Sequence, residues 1–546
     1  MVVPIAEEPR FDPIGFAGVH YGAMSGSENH AAPRGQIGTN PATLASAAMA
    51  GREVSFTSWL AERPRGKLCA ALGALLLASI LAAFGAPGHL SPGYMALPVA
   101  LSVAAVLAHC AYRYHATPRP VNWLTVDTVF VAGYWLVHLF VPTLYVTGLW
   151  NDPGDKLWWS RDIVCSATAM SVSGLIAFLL GFHALPQERH APLRPVRPRG
   201  AYRWWIPLAK GMLLAGAALI VLEYGVLHAP AARYVGVQDW PMRDRRLLLL
   251  GSLLLSVGLV VTVVAAGQLA RRRAIGWVCG LALTAALLAA GRFGDRSLMV
   301  QVGVAGVAAY SEYVRRIRLR ALVGALLAGV LLMSAIQIAR SQEERTIGAF
   351  VDAAEDRFTG GWKRSGVIHS VGAISTRSLY IAVDQIPRSR GHFWGELHVY
   401  GIASVVPFHS AFVPEVEYKS SAHYLTEVYN EPGERAGRGT STAADLYVNY
   451  GYVGLIVILF LTGVVTNRVQ QRARRTGSLP WIVAYIFAIQ SALMARYTFL
   501  HFVRAVFWSV AAVWLLGLVL RLPFRPAGVA EDGRDAGEGD ANARAS

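Results

Sequence analysis

Charged residues are scarce in this sequence. They make up 15% of its 546 residues, whereas an average soluble domain has about a quarter. Hydrophobic residues make up 54%, and the mean hydropathy is +0.40. Apolar runs of about 18 residues or more recur along the chain, and each is long enough to cross a hydrocarbon core of about 30 Å. These features exclude a soluble globular protein and predict an all-α, polytopic integral membrane protein.

Cysteine is also scarce, and the few cysteines lie far apart inside apolar runs. They are Cys69, Cys110, Cys165 and Cys279. This spacing fits neither a metal site nor a disulfide framework, so we expect small buried side chains. The histidines likewise lack the short spacings of zinc ligands, and we expect no metal site.

The ends of the sequence contain no long apolar run. Residues 1–66 lack the basic stretch and short apolar segment of a signal peptide, and their composition predicts a flexible cytoplasmic N-terminal tail. Residues 523–546 predict a disordered cytoplasmic tail. Between the tails, the apolar runs predict spans 1–9 within residues 67–339 and spans 10–12 within residues 451–522. The predicted spans are about 68–86, 93–112, 124–148, 163–184, 204–224, 247–270, 275–290, 297–313, 321–339, 451–467, 481–495 and 505–521. The prediction is therefore about twelve transmembrane helices.

The placement of arginine predicts the orientation of these helices. The formal net charge is +16, and the arginines cluster in short loops, such as those that contain Arg113 and Arg474. Alternation from a cytoplasmic N-terminus puts every strongly basic loop in the cytoplasm. Anionic lipid headgroups account for the charge, so we expect no nucleic-acid partner. Both termini are then cytoplasmic, and polar residues 340–450 form one large extracytoplasmic, or periplasmic, loop domain between spans 9 and 10.

Several arginines fall on the outer side and break this pattern. A charge at membrane depth usually faces a cavity or a partner, and arginine binds phosphate groups bidentately. The alternative is that each arginine marks a helix end and reaches the headgroups. We favour a site for a phosphate or diphosphate. The outer arginines are Arg243, Arg245, Arg246, Arg292, Arg296, Arg340, Arg345, Arg496 and Arg504.

The 340–450 segment also contains groups that could act as acids, bases or sugar platforms. Glycosyl transfer needs a base for the acceptor hydroxyl and cations for the departing phosphate. A histidine or carboxylate taken singly is more typical of a structural role, and the aromatic residues fit a small core as well as a sugar site. The histidines are His369, His392, His398, His409 and His423, and the carboxylates include Glu396, Glu417, Glu427 and Asp445.

Three short passages carry a family resemblance. Gly291–Ser297 is a small-residue and arginine turn between two apolar runs. Phe393-Trp394-Gly395 is followed by Val406-Pro407, and Thr440–Gly454 combines a Ser/Thr start with Ala-Asp-Leu-Tyr-Val-Asn-Tyr-Gly. Together they resemble the Wzy-type oligosaccharide repeat-unit polymerases of O-antigen and exopolysaccharide. One departure is Lys419, which is followed by serine where the family often has a lysine-proline pair.

The resemblance implies a metal-independent membrane glycosyltransferase without a cofactor. The enzyme would act at the outer face of the bacterial inner membrane and move a growing glycan from undecaprenyl diphosphate onto an incoming lipid-linked repeat unit. A flippase and a chain-length regulator are candidate partners. The catalytic base is assigned to His423 or His369. The residues assigned to substrate binding are Arg292, Arg296, Arg340, Arg345, Arg504, Asp445, Tyr447 and Asn449.

Two other functions remain open at this point. An O-antigen ligase uses the same lipid-linked donor and also combines many spans with a large outer loop. A transporter of about twelve helices is disfavoured because its main linker would be expected after the sixth span, whereas the large polar segment follows the ninth.

Overall fold

The computed structural model describes a helical protein. The described residues are 64–116, 121–149, 158, 160–185, 204–222, 242–268, 280, 296–324, 374–389, 391–403, 418, 420–429, 439–492 and 495–523. Within these ranges there is no strand, which confirms the all-α prediction for this part of the chain. The helices are α1 (Pro64–Phe84), α2 (Pro92–Ala116), α3 (Val126–His138), α4 (Phe140–Val146), α5 (Val164–Ala184), α6 (Trp205–Val221), α7 (Met242–Gln268), α8 (Arg296–Tyr313), α9 (Ile374–Gln385), α10 (Glu396–Ala403), α11 (Ser421–Tyr429), α12 (Thr442–Thr476), α13 (Leu479–Ala492) and α14 (Phe499–Val519).

Six of the described helices are long and apolar enough to cross a membrane. These are α1, α2, α5, the Leu250–Gly267 part of α7, α12 and α14, and the bent pair α3–α4 raises the number to seven. The protein is therefore a multi-pass membrane protein. The shorter apolar helices α6 and α13 occupy two more of the predicted spans. The predicted span 275–290 and most of the span 321–339 lie outside the described residues, so the total of about twelve stays a prediction.

The third predicted span differs from the expectation of one straight helix over 124–148. It is divided into α3 and α4, whose axes meet at 60°. Pro142 lies in the first turn of α4, and it has no N–H to donate to the carbonyl of His138. The helix therefore breaks at Leu139, between the two segments.

Helices α5 and α12 pack with their backbones in close contact. A methyl group on Gly181 of α5 would collide with the backbone of Phe460, and one on Gly463 of α12 would collide with the backbone of Phe178 and Phe182. Small residues permit this approach between membrane helices. This packing fixes α12, the helix that contains the candidate site, against α5.

Two arginines that the charge pattern assigns to cytoplasmic loops form ion pairs inside the protein, the first buried and the second half-buried. Arg113 lies 2.6 Å from Asp127, and Arg474 lies 2.7 Å from Glu312. Asn122 connects the two pairs. Its backbone carbonyl accepts a hydrogen bond from Arg113, and its side-chain amide donates one to Glu312. These arginines therefore hold helix ends together, in contrast to the expectation that lipid headgroups balance them.

Candidate functional site at a break in helix α12

Helix α12 begins with a polar, buried turn. Ser441 is its N-cap and accepts a hydrogen bond from the Ala444 amide at 3.2 Å. The Ser378 hydroxyl of α9 donates to Ser441 at 3.0 Å, and the Thr442 amide donates to the Ala495 carbonyl at 2.8 Å. Asp445 follows in the first turn, where a helix favours negative charge.

The Asp445 carboxylate collects donors from four helices. The Ser421 hydroxyl of α11 donates to Oδ1 at 2.5 Å, and His398 Nε2 of α10 lies 2.9 Å from Oδ2. The Phe499 amide at the start of α14 donates to Oδ2 at 2.7 Å. Asn449 of α12 donates to both the carbonyl and Oδ1 of Asp445. Asp445 is 1% exposed, so these bonds replace water and fasten four helices to one side chain.

His398 continues this network to a tyrosine. Its Nδ1 lies 3.1 Å from the Tyr450 hydroxyl. Because the carboxylate of Asp445 requires a donor at Nε2, Nδ1 is the accepting nitrogen and the Tyr450 hydroxyl donates to it. We call Asp445, His398 and Tyr450 the carboxylate–histidine–tyrosine chain. Both ring nitrogens of His398 are therefore occupied within the protein.

Two residues after Asn449, α12 is interrupted at Gly451. Its dihedral angles are φ 70° and ψ −168°, a conformation that favours glycine. Carbonyls beside such an interruption need donors from elsewhere. The Tyr447 carbonyl lies 3.0 Å from His392 Nδ1, and the Val448 carbonyl accepts from the Phe393 amide at 3.1 Å. The segment before α10 is thereby fastened to the break.

That segment, Gly391–Gly395, has an unusual backbone. Gly391 and Gly395 have positive φ, and so does Trp394, with φ 49°. A bulky residue in this region is rare and marks local strain. Trp394 is 78% exposed, and its ring lies 6.0 Å from that of His392. An exposed indole held by a strained turn could stack on a sugar ring.

The structure brings some of the predicted site residues together. Asp445, Tyr447 and Asn449 all lie in the buried part of α12. The Tyr447 carbonyl contacts His392 beside the break at Gly451. Arg504 lies on α14 within two turns of Phe499, and its Nη2 donates to the Gly401 carbonyl near the end of α10 at 2.7 Å. Arg504 is thus attached to the same group of helices.

The other predicted residues are not placed in this cluster. His423 is exposed in the first turn of α11, and the Ser420 hydroxyl accepts from its backbone amide at 3.2 Å. Arg296 is the first residue of α8. Arg292, Arg340, Arg345 and His369 lie outside the described residues.

Four residues of the cluster were not selected from the sequence. His392 and His398 stood among five histidines without distinction, and Ser421 and Tyr450 received no functional role. Their contacts join positions far apart along the chain, which spacing does not reveal. Over the described ranges, no group of three or more His, Cys, Asp or Glu residues is arranged to hold a metal ion.

The family model described as O-antigen polysaccharide polymerase Wzy matches residues 269–524. The resemblance to the Wzy family is confirmed. The Wzy match begins directly after α7 and includes α8–α14, so all predicted site residues and the whole Asp445 network fall within it. No curated protein and no solved structure matches the chain significantly.

Proposed function

We propose that the protein polymerises undecaprenyl-diphosphate-linked oligosaccharide repeat units into O-antigen or exopolysaccharide at the outer face of the bacterial inner membrane. The observation that carries this proposal is the Wzy match over a segment in which α12 buries Asp445 among four helices. The proposal includes about twelve spans, cytoplasmic termini, and residues 340–450 on the outer side.

In the proposed reaction, a hydroxyl of the incoming lipid-linked unit attacks the anomeric carbon of the growing glycan. The bond from that carbon to the carrier diphosphate breaks, and its electron pair leaves with the diphosphate. The site must therefore accept a proton from the hydroxyl and stabilise negative charge on the leaving group.

Five of the nine outer arginines are the groups we assign to the diphosphate or to acidic sugars. They are Arg292, Arg296, Arg340, Arg345 and Arg504. Guanidinium groups bind phosphate oxygens through paired N–H donors. Arg504 supports the assignment, because it contacts α10 and lies shortly after Phe499, whose amide holds Asp445.

The described contacts divide the substrate-binding residues of α12 by role. Asp445 and Asn449 are buried and bonded within the protein, so we assign them to positioning: they hold α10, α11 and α14 around the site. Tyr447 contributes its carbonyl to His392 and thereby positions a side chain at the break. We place the catalytic base in the polar segment, with His369 and His423 as the sequence-based candidates.

Deletion of the gene tests the polymerase. We expect loss of the long surface or secreted polysaccharide on a gel, with a single repeat unit remaining, and restoration by the wild-type gene. Complementation with Arg296→Ala should restore about 10²-fold less polymer, by analogy with the loss of one charge-stabilising donor. Arg320→Ala is the matched control, because Arg320 is exposed and belongs to a loop predicted to be cytoplasmic.

The same gel separates the alternatives. Long polymer that persists on its carrier lipid but fails to reach an acceptor would indicate a ligase. An unchanged ladder in the deletion strain would refute the polymerase and leave the transporter to be tested by substrate flux.

A further inference from the structure

The two nitrogens of His392 have different surroundings. Nδ1 lies 3.0 Å from the Tyr447 carbonyl. A carbonyl oxygen only accepts, so Nδ1 carries the proton and Nε2 keeps a lone pair. Within the described part of the chain, this is the one hydrogen bond of the ring, and no N–H or O–H group donates to Nε2. The protein thus fixes His392 in the tautomer that a proton acceptor requires.

Gly451 leaves room for this nitrogen. A Cβ on Gly451 would lie 3.0 Å from His392 Nε2, closer than side-chain carbons ordinarily approach. The residue that breaks α12 is therefore also the residue whose missing side chain lets the His392 ring pack against the break. His392 itself is half-buried, beside the exposed Trp394.

The other two described histidines of this region are less suited to accept a proton from a substrate. His398 is 5% exposed and uses both nitrogens on Asp445 and Tyr450. His423 is exposed on α11 with its ring centroid 5.8 Å from that of Tyr418, and within the described residues no hydrogen bond to its ring fixes a tautomer. His392 combines a fixed tautomer, an Nε2 that takes part in no hydrogen bond within the described residues, and a neighbouring exposed aromatic ring.

We propose that His392 is the general base of the glycosyl transfer, an inference that rests on the proposed polymerase function. Nε2 takes the proton of the acceptor hydroxyl as its oxygen bonds to the anomeric carbon, while the bond to the diphosphate breaks. The imidazolium that forms keeps its Nδ1–H bond to the Tyr447 carbonyl, whose dipole stabilises the positive charge. The proton then leaves to water, and the neutral ring is restored.

A reconstituted assay tests this role. The full-length protein, placed in nanodiscs, receives lipid-linked repeat units extracted from a strain that lacks the gene, and the rate of glycan lengthening is measured against pH. The assay covers about pH 5–8, and for the wild type we expect a lower rate at the acidic end, because a protonated base cannot accept the proton of the hydroxyl. His392→Asn places an amide N–H at the position of Nδ1, so the Tyr447 carbonyl keeps a donor and the basic nitrogen is removed. The variant should be about 10²- to 10⁴-fold slower, and its rate should no longer fall on acidification.

Two further measurements separate chemistry from folding. His392→Ala should regain activity with added imidazole, which a purely structural role does not explain. His115→Gln is the control, because His115 is exposed at the end of α2, and it should keep both rate and pH profile.

Several results would overturn the inference. These are a wild-type rate that is flat across this pH range, a His392→Asn variant with the wild-type rate and the same loss of rate in acid, or a loss of rate in acid that disappears in His423→Asn instead. A wild-type protein that lengthens no glycan at any pH would refute the proposed function itself, which is a distinguishable outcome.

Discussion

Replacement of Asp445 is the sharpest test of the helix arrangement around the site. Asp445→Ala leaves three buried donors without their acceptor: the Ser421 hydroxyl, His398 Nε2–H and the Phe499 amide. Each buried group left unsatisfied costs about 1–3 kcal/mol. The hydroxyl can rotate toward another acceptor, whereas the ring N–H and the amide are fixed in direction. We therefore expect a loss of about 3–5 kcal/mol in the free energy of unfolding, in the range for breaking a buried pair.

Asp445→Asn separates shape from hydrogen bonding. The amide keeps one oxygen, which can still accept from Phe499 and His398, while its NH₂ group faces the Ser421 hydroxyl and the Asn449 amide. The hydroxyl can turn to accept, so one poor contact remains and the expected cost is about 1–2 kcal/mol. Asp162→Ala is the matched control, since Asp162 is exposed and surface changes usually stay within about 0.5 kcal/mol.

Thermal unfolding of the detergent-solubilised protein measures this order. The free cysteines of α1, α2 and α5 are buried or half-buried, so a thiol-reactive fluorophore reports their exposure on unfolding. The apparent midpoint should fall most for Asp445→Ala, less for Asp445→Asn and not for Asp162→Ala. An Asp445→Ala protein that melts with the wild type would show that the carboxylate does not hold these helices together.

Two further changes test the break and the turn beside it. Gly451→Ala would force φ 70° on alanine and press its Cβ toward His392, so we expect both a lower unfolding midpoint and loss of polymer. Gly73→Ala is the control: Gly73 lies inside α1, where a Cβ would meet nothing within 4 Å, so this change should be neutral or slightly stabilising. Trp394→Ala removes a 78% exposed indole, and we expect unchanged stability but shorter glycan chains on a gel. Trp204→Ala, another exposed indole, should leave chain length unaltered, and a full-length ladder from Trp394→Ala would refute sugar stacking at that position.

The helices followed from the sequence more readily than the site did. Apolar runs are a local signal, so α1, α2, α5 and α14 lie close to their predicted spans. The break beside Pro142 was also encoded locally, but hydropathy over 124–148 masks it. The burial of Arg113 against Asp127 was missed because the positive-inside rule treats arginine as a marker of loops and says nothing of its partners.

At the site, the resemblance pointed to the part of α12 that contains Asp445 and Asn449, and not to the side chains that contact them. Asp445 and Asn449 are one helical turn apart, so one motif contains both. His398 and Ser421 meet Asp445 from positions that are 47 and 24 residues away along the chain. Such contacts depend on how α10 and α11 pack, which no local pattern specifies. The same reason left His392 indistinguishable from four other histidines.

The surroundings of α12 change at Gly451, and this change relates the site to the membrane. Every residue from Thr442 to Asn449 is buried. After the break, one face packs on α5, while apolar side chains four residues apart are exposed, from Val453 through Val457 and Leu461 to Val465. A stripe of this kind fits a surface that lies against lipid. Under the proposed function, the lipid carrier lies along such a surface, and its diphosphate is held where the hydrocarbon ends. The break, with His392 and Trp394 beside it, lies at the end of this stripe, so the proposed function predicts that the diphosphate bond and the proposed base meet there.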